Sequence, residues 1–220
     1  KRFSDLLKKL TPALPDDDRD INVFDYYVDD SGEWDPWSSQ VRDSINVDNI
    51  PLLGECMVET VDIIRARLLM DFAYRSKMNV LLIGPRGAGK SSLLNEFANQ
   101  LDVTTVMQKG MHFSELTSAE HLQSFVESHL HHKQGFVYGA KDKKRLLLTI
   151  EDLNLPCIGK SAATLGSTTT TTSAEHANEL LRQMLDAKCI ITKQRPFEWR
   201  TIEDMNVFAS MATPDSPGVP

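Results

Sequence analysis

A glycine-rich stretch that begins at Gly84 constrains the fold of this 220-residue chain more than any other part of the sequence. Gly84, Gly89, Lys90 and Ser91 fit the pattern G-x-x-x-x-G-K-[ST], in which backbone N–H groups turn inward around a phosphate. The apolar, β-branched run 79–83 predicts a buried strand before it, and the apolar spacing of 91–101 predicts a helix after it. This order of strand, glycine loop and helix predicts a phosphate site at the helix N-terminus, where the helix dipole is positive.

The residue types within the loop predict which groups contact a nucleotide. Lys90 is expected to reach the β- and γ-phosphates, and the Ser91 hydroxyl is expected to bind Mg²⁺. A glycine turn with an accidental lysine is the alternative, and the flanking strand and helix argue against it. The predicted phosphate-binding residues are Gly84, Pro85, Arg86, Gly87, Ala88, Gly89, Lys90, Ser91 and Ser92.

A second signature of nucleotide chemistry follows farther along the chain. The run 146–150 is fully apolar and ends in Glu151 and Asp152. An apolar strand that carries acids at its carboxyl end is typical of P-loop ATPases. We expect one of these carboxylates to hold the hydrated Mg²⁺ and the other to polarise the attacking water, so Glu151 and Asp152 are both predicted catalytic residues.

Composition excludes several other classes of function. The net charge of −7 and the pI near 5.4 argue against a nucleic-acid surface, and the sequence shows neither a membrane-length apolar run nor a signal peptide. Cys56, Cys157 and Cys189 are odd in number and far apart, which predicts reduced thiols in the cytoplasm. The histidines at 129, 131 and 132 are potential zinc ligands, but the preference of a helix C-terminus for positive charge explains them better.

The remaining pattern predicts an α/β fold. Apolar strands alternate with helices that begin near residues 60, 119 and 174, which indicates a parallel sheet flanked by helices. Further strands are expected at 103–107 and 206–211, a polar loop at 135–144, a hairpin-like excursion at 190–199, and an N-terminal hairpin from 23–28 and 33–37. The threonine run 168–172 predicts a low-complexity loop. The carboxyl ends of the strands would then bring the glycine loop and the two acids together.

From about residue 23 to residue 220, the chain resembles the third AAA+ module of dynein heavy chains, closest to the axonemal kind. The generic phosphate-loop motif is common to many ATPases, whereas an ordered set of segments is far more specific. The segments that carry the resemblance are Val23-Phe-Asp-Tyr-Tyr-Val28, Pro36-Trp37-Ser38, Val58-Glu-Thr-Val-Asp-Ile-Ile-Arg65, Phe113-Ser114, Thr117-Ser118, Val137-Tyr138-Gly139, Asp152-Leu-Asn-Leu-Pro156 and Leu180-Leu-Arg-Gln183.

The resemblance implies a site for ATP or ADP with Mg²⁺ in one module of a six-module ring. Its implied partners are the neighbouring AAA+ modules of the same heavy chain, and the microtubule through the parent protein, with no nucleic acid or membrane. It implies a place on the cytoskeleton in the cytoplasm, with the axoneme of a cilium or flagellum as the particular setting. Residues 1–46 are expected to be an extension from the preceding module and 47–220 the AAA+ P-loop NTPase large subdomain, without the lid. Val58 is expected to border the adenine. We expect the sequence to be a piece of a longer chain, since it starts without methionine.

Four positions depart from the family pattern, and one of them is Arg86, which replaces the usual threonine within the loop. Glu151 and Asp152 stand where the family has Asp followed by Asp or Glu, and Ala212 stands where many such ATPases have a polar sensor residue. A displaced reacting group costs rate steeply, on the order of 10²-fold for about 1 Å. We therefore expect nucleotide binding with slow or absent hydrolysis. Two alternatives remain open: a stand-alone P-loop ATPase with real turnover, and a degenerate structural module that binds no nucleotide.

Overall fold

A computed structural model describes the protein at residues 6, 10, 23–29, 31–41, 58–155, 175–192 and 197–213. The predicted threonine-rich loop and Pro156 lie outside these residues. The chain divides into two compact units, Lys1–Leu69 and Met70–Pro220. In the part of the chain that the structure describes, the α-helices with defined bounds are α1 (Val61–Arg75), α2 (Lys90–Gln100), α3 (Ala119–His129) and α4 (Glu175–Ala187). No helix of the described residues is both long and apolar enough to cross a membrane.

The first unit contains the predicted N-terminal hairpin. A 3-10 turn, Val23–Asp25, leads into β1 (Tyr26–Val28), which pairs antiparallel with β2 (Trp34–Pro36). Asp29 closes the connection, because its carboxylate accepts hydrogen bonds from the N–H and hydroxyl of Ser31 and from the N–H of Glu33. The Ser31 hydroxyl bond is the main reason that the pKa of Asp29 is lowered. Trp37 packs on Tyr27 within this unit, at 4.9 Å between ring centroids.

A four-stranded parallel sheet forms the centre of the second unit, as predicted. Its strands are β3 (Val80–Gly84), β4 (Val106–His112), β7 (Arg145–Glu151) and β10 (Met205–Ala212), in the spatial order β3-β10-β7-β4. The strand that carries the glycine loop and the strand that carries the acids therefore both pair with β10. The glycine loop after β3 and the acids at the end of β7 are thus separated by one strand, β10.

Helices cover both faces of this sheet. On one face Phe208 of β10 stacks on Phe97 of α2 at 5.4 Å, and Tyr74 of α1 meets both rings edge-on. On the other face an apolar cluster joins β7 and β10 to α3 and α4. Its buried members include Leu122, Val126, Ile150, Leu181, Met184, Val207 and Ala209. Because neighbouring residues of a strand point to opposite faces, Phe208 packs against α1 and α2, while Val207 and Ala209 pack on the face covered by α3 and α4.

The strand predicted at 79–83 is present as β3, but it is less buried than predicted and less buried than β7. The residues Leu146 to Ile150 of β7 are all buried, but Leu81 and Ile83 of β3 are 45% and 58% exposed. The reason is position: β3 is an edge strand among the strands that the structure describes. An apolar run alone does not distinguish a central strand from an edge strand.

A second sheet was not predicted as such. It is formed by β5 (His131–Gln134), β6 (Val137–Gly139), β8 (Cys189–Ile191) and β9 (Trp199–Ile202), in the order β5-β6-β9-β8. The expected polar loop at 135–144 was wrong for β6, whereas the hairpin-like excursion is confirmed by the antiparallel pair β8 and β9. The three-residue strand β6 pairs on one side with β5, which is close in sequence, and on the other side with β9, far along the chain.

The predicted strand at 103–107 starts too early. Val103 lies in a turn and is 71% exposed, and β4 begins only at Val106. Asp102 favours the turn, because its carboxylate accepts hydrogen bonds from the N–H and hydroxyl of Thr104. The hydroxyl bond is the main cause of the lowered pKa of Asp102. A local side-chain bond here outweighs the β-branched composition of the segment.

Candidate functional site

The glycine loop connects the end of β3 to the start of α2. Gly87 and Gly89 have φ angles of +77° and +79°, in the left-handed region that L-amino acids seldom adopt. Gly84 differs, because it closes β3 in register with Ala212 of β10. The loop conformation thus depends on glycine at positions 87 and 89, whereas Gly84 fixes the loop to the sheet.

Among the described residues, no side chain caps the N-terminus of α2. Gly89 is the N-cap residue and provides no side-chain cap to the first turn. The first N–H groups of a helix have no partner within the helix, so they need a side chain, water or a ligand. An N-terminus that follows a glycine loop and lacks a side-chain cap suits an anion such as a phosphate.

Lys90 lies at the mouth of the loop. Its ammonium group donates hydrogen bonds to the carbonyl oxygens of Gly84, at 2.9 Å, and Pro85, at 2.7 Å. An ammonium group carries three donors, so these two bonds leave one for a phosphate oxygen. The loop carbonyls thereby hold the positive charge of Lys90 beside the predicted phosphate position.

The remaining predicted loop residues lie on the surface. Pro85, Arg86, Ala88, Ser91 and Ser92 are all exposed, and the two serines are in the first turn of α2. Val58 belongs to the first unit and is 56% exposed. Its assignment to the adenine stays a prediction.

The two predicted acids point to different environments. Glu151 is the last residue of β7 and is buried, with a carboxylate oxygen 3.7 Å from Nδ1 of His112. His112 is its register partner at the end of β4 and was not singled out from the sequence. Asp152 follows the strand with a φ angle of +56° and is exposed. The structure brings Glu151 to the carboxyl edge of the sheet and turns the backbone sharply at Asp152.

A cross-connection at the sheet edge joins the segment after β7 to the end of β10. The N–H of Leu153 donates to the carbonyl of Ser210, and the N–H of Ala212 donates to Oδ1 of Asn154. The N–H of Thr213 donates to the carbonyl of Gly84. Ala212, the predicted sensor position, thus lies between Gly84 and Asn154. Asn154 lies in one of the segments that carry the resemblance, but it was not predicted as a site residue. Its place follows from the strand order, because β7 and β10 are neighbours and the residues after β7 therefore lie beside the end of β10.

The residues present fit a phosphate-bound magnesium better than a protein-caged metal. Among the described residues no group of three or more His, Cys, Asp or Glu side chains could hold a metal ion. Mg²⁺ at nucleotide sites usually keeps several waters and takes one or two protein ligands besides the phosphates. Ser91, in the first turn of α2, and Glu151, at the end of β7, have the right chemistry for that smaller share.

A cleft of about 410 Å³ lies at the opposite, amino-terminal edge of the sheet. Its lining includes Lys77, Asn79, Glu203, Asp204 and Asn206, which precede or begin β3 and β10. Ligands of open α/β sheets bind outside the carboxyl ends of the strands, where the glycine loop lies. Volume alone therefore does not mark the nucleotide site.

A parallel sheet with helices on both faces, and a glycine loop between its edge strand and an uncapped helix, defines an α/β P-loop domain of the AAA+ type. The particular family follows from comparison with known proteins: residues 46–218 match the family described as the P-loop containing dynein motor region. The chain belongs to this family. The predicted dynein resemblance is therefore confirmed, while its assignment to the third module stays a prediction.

Individual relatives are dynein heavy chains. The chain is 26% identical over 193 residues to dynein axonemal heavy chain 8 of Mus musculus and 30% identical over 193 residues to dynein axonemal heavy chain 5 of the same species. Each match covers 87% of this chain. It is also 24% identical over 217 residues, 96% of the chain, to the dynein gamma chain of the flagellar outer arm of Chlamydomonas reinhardtii. The chain spans only 4% to 5% of the length of these relatives.

Proposed function

We propose that this chain is the nucleotide-binding part of the third AAA+ module of a dynein heavy chain and that it regulates the motor rather than driving it. Residues 84–92 hold the phosphates of ATP or ADP. Lys90 donates to the phosphates, while Ser91 and Glu151 hold Mg²⁺. The observation that carries the proposal is the helix α2, which follows a left-handed glycine loop and has no side-chain cap at its N-terminus.

Bound nucleotide with Mg²⁺ would supply a γ-phosphate whose transfer to water releases free energy. The chain's own part is to bind and orient that group. Lys90 is already fixed by two loop carbonyls, so little side-chain entropy is lost when its third donor meets a phosphate. Glu151 is fixed by its place at the end of a buried strand, which favours a defined position for the metal.

Slow hydrolysis is supported by Asp152 and Ala212. Asp152 is exposed on a backbone turn instead of lying on the strand beside Glu151, and Ala212 has no polar side-chain atom. A base must lie within hydrogen-bond reach of the attacking water to raise the rate by its usual factor of about 10² to 10⁴. Asp152→Asn should therefore change the low turnover of the chain by about twofold at most. A selective loss of ATP hydrolysis in this variant would contradict slow, regulatory behaviour.

The relatives support the wider setting. They are named as axonemal and flagellar heavy chains, and this chain matches a small part of each. We place it beside the neighbouring AAA+ modules of one heavy chain, in the axoneme of a cilium or flagellum. Contact with the microtubule would then be made by other parts of that parent protein.

A binding-linked stability measurement tests nucleotide binding. Urea unfolding of the 220-residue chain is followed with and without ADP and Mg²⁺ at 100 times Kd, where one bound ligand adds about 2.7 kcal/mol to the unfolding free energy. Lys90→Ala should abolish this gain. Lys141→Ala, which changes an exposed lysine of a 3-10 turn, should retain it.

The outcomes separate the proposal from its alternatives. If neither ADP nor ATP stabilises the wild-type chain, the degenerate structural module is the correct reading. If the chain binds and turns over ATP rapidly on its own, the stand-alone ATPase is correct. Stabilisation that survives Lys90→Ala would move the site away from the glycine loop.

A further inference from the structure

The side chain of Asn154 is held in one orientation at the carboxyl edge of the sheet. Its Oδ1 accepts the N–H of Ala212 at 3.0 Å. The two ends of an amide side chain are assigned from their hydrogen bonds, and only the oxygen can accept this N–H. The Nδ2 amino group must therefore point away from Ala212.

That amino group is buried and has no hydrogen-bond partner. Asn154 Nδ2 is one of the few buried side-chain polar atoms without a partner among those the structure describes. Buried polar groups are nearly always paired, so an unpaired donor calls for an explanation such as a ligand. The N–H of the neighbouring Leu153 donates to the carbonyl of Ser210, which holds this turn against β10 and fixes the position of Asn154.

The location of Asn154 relates this donor to the phosphate loop. Ala212, which binds Asn154, is also the register partner of Gly84, and Gly84 accepts a bond from Lys90. The amide is thus one strand away from the first residue of the loop. At the same place Ala212 offers only a methyl group, and its buried side chain cannot donate to a nucleotide.

We propose that Nδ2 of Asn154 donates a hydrogen bond to the terminal phosphate of bound ATP and so supplies the polar contact that Ala212 lacks. This inference rests on the proposed function, because it assigns a contact within the same nucleotide site. It makes Asn154 the residue by which the module distinguishes ATP from ADP. The hydrogen bond from Ala212 positions the amide, and the amino group donates to the phosphate.

Replacing the donor while keeping the acceptor tests this assignment. Asn154→Asp retains an oxygen for the N–H of Ala212 but removes the amino group, and Asn154→Ala removes both without adding charge. Affinities of the 220-residue chain for ADP and for a non-hydrolysable ATP analogue are measured with Mg²⁺ by calorimetry. Hydrogen bonds to charged groups predict a loss of about tenfold or more for the ATP analogue in both variants, with ADP affinity nearly unchanged.

Asn178→Asp is the matched control. Asn178 is an exposed residue of α4 whose amide reaches the carbonyl of Leu153, next to Asn154 in the chain, so its change adds the same charge nearby. It should leave the ratio of the two affinities unchanged. Thermal unfolding without nucleotide shows separately whether each variant has lost the connection to Ala212.

Two results would overturn the inference. The first is an unchanged affinity ratio in Asn154→Asp and Asn154→Ala. The second is an equal loss for both nucleotides together with a lower unfolding temperature, which would make Asn154 a purely structural bridge. A wild-type chain that binds neither nucleotide would instead refute the proposed function, and this inference with it.

Discussion

Glycines of the phosphate loop differ in what a side chain would cost. At Gly89 the φ angle is +79° and no atom lies within 4 Å of an added Cβ, so the cost of alanine is one of backbone conformation alone. We expect Gly89→Ala to lower the unfolding free energy by about 1–2 kcal/mol. Urea unfolding of the nucleotide-free chain measures this loss.

Gly84 is the internal control for that prediction. Its φ angle is not positive, and a Cβ there would make only ordinary contacts, the nearest with Cδ of Lys90 at 3.7 Å. Gly84→Ala should therefore cost clearly less than Gly89→Ala. Equal losses at the two positions would mean that packing, and not backbone conformation, decides the cost.

At the scale of single elements, the start of α3 depends on one serine. The Ser118 side chain accepts the N–H of His121, and the His121 ring in turn accepts the N–H of Ser118, so a capping box is complete. Ser118→Ala should lower the unfolding free energy by about 1 kcal/mol. The matched change Ser124→Ala, on the exposed side of the same helix, should stay within about 0.5 kcal/mol of the wild type in the same urea measurement. A similar cost at both serines would argue against the cap.

A second connection between elements makes stability depend on pH. The ammonium of Lys77, after α1, donates to the carboxylate of Asp204, before β10, at 2.8 Å, and this bond is the main reason that the pKa of Asp204 lies below its ordinary value of 3.8. A carboxyl group with a depressed folded-state pKa stabilises the fold above its unfolded pKa. That stabilisation is lost as the pH falls from about 3.8 through the lower folded-state value.

Asp204→Asn isolates this contribution. Asparagine tolerates the left-handed backbone at this position, where φ is +52°, so the change removes mainly the charge. Because Lys77 is well exposed, the difference in unfolding free energy at pH 7 should be only about 0.2–1 kcal/mol. Urea unfolding between pH 3 and pH 7 should show the difference shrinking toward acid, and a difference that stays constant over this range would refute the assignment.

The elements that the sequence predicted well are those whose cause is local. The glycine loop, the cap at Ser118 and the apolar run of β7 each carry their signal within about ten residues, and the structure has all three. The three-residue strand β6 could not be predicted fully in this way, because only one of its two partners is local: β5 is close in sequence, but β9 lies far along the chain. The same applies to Asn154, since its contact with Ala212 depends on the order of the strands.

At the scale of the whole molecule, the second unit offers two edges of one sheet as places for a ligand. The carboxyl edge has the glycine loop, the uncapped helix and Glu151, whereas the amino edge has a cleft of about 410 Å³. Two of the charged groups at the amino edge, Lys77 and Asp204, already neutralise each other. At the carboxyl edge, by contrast, the start of α2 has no side-chain cap, and Lys90 uses only two of its three donors on loop carbonyls.

Hydrogen exchange with and without ADP and Mg²⁺ distinguishes the two edges in one experiment. Bound nucleotide should slow exchange of backbone amides in residues 84–92, and more weakly in 151–155 and 210–213, because ligand contacts and reduced local opening protect the groups they cover. The hairpin strands β1 and β2 should be unchanged and serve as the internal control. Protection confined to the residues around Lys77 and Asp204 would place the ligand in the amino-edge cleft. Lys90→Ala should remove the protection at the carboxyl edge, because a site built on the glycine loop loses its fixed positive charge with that side chain.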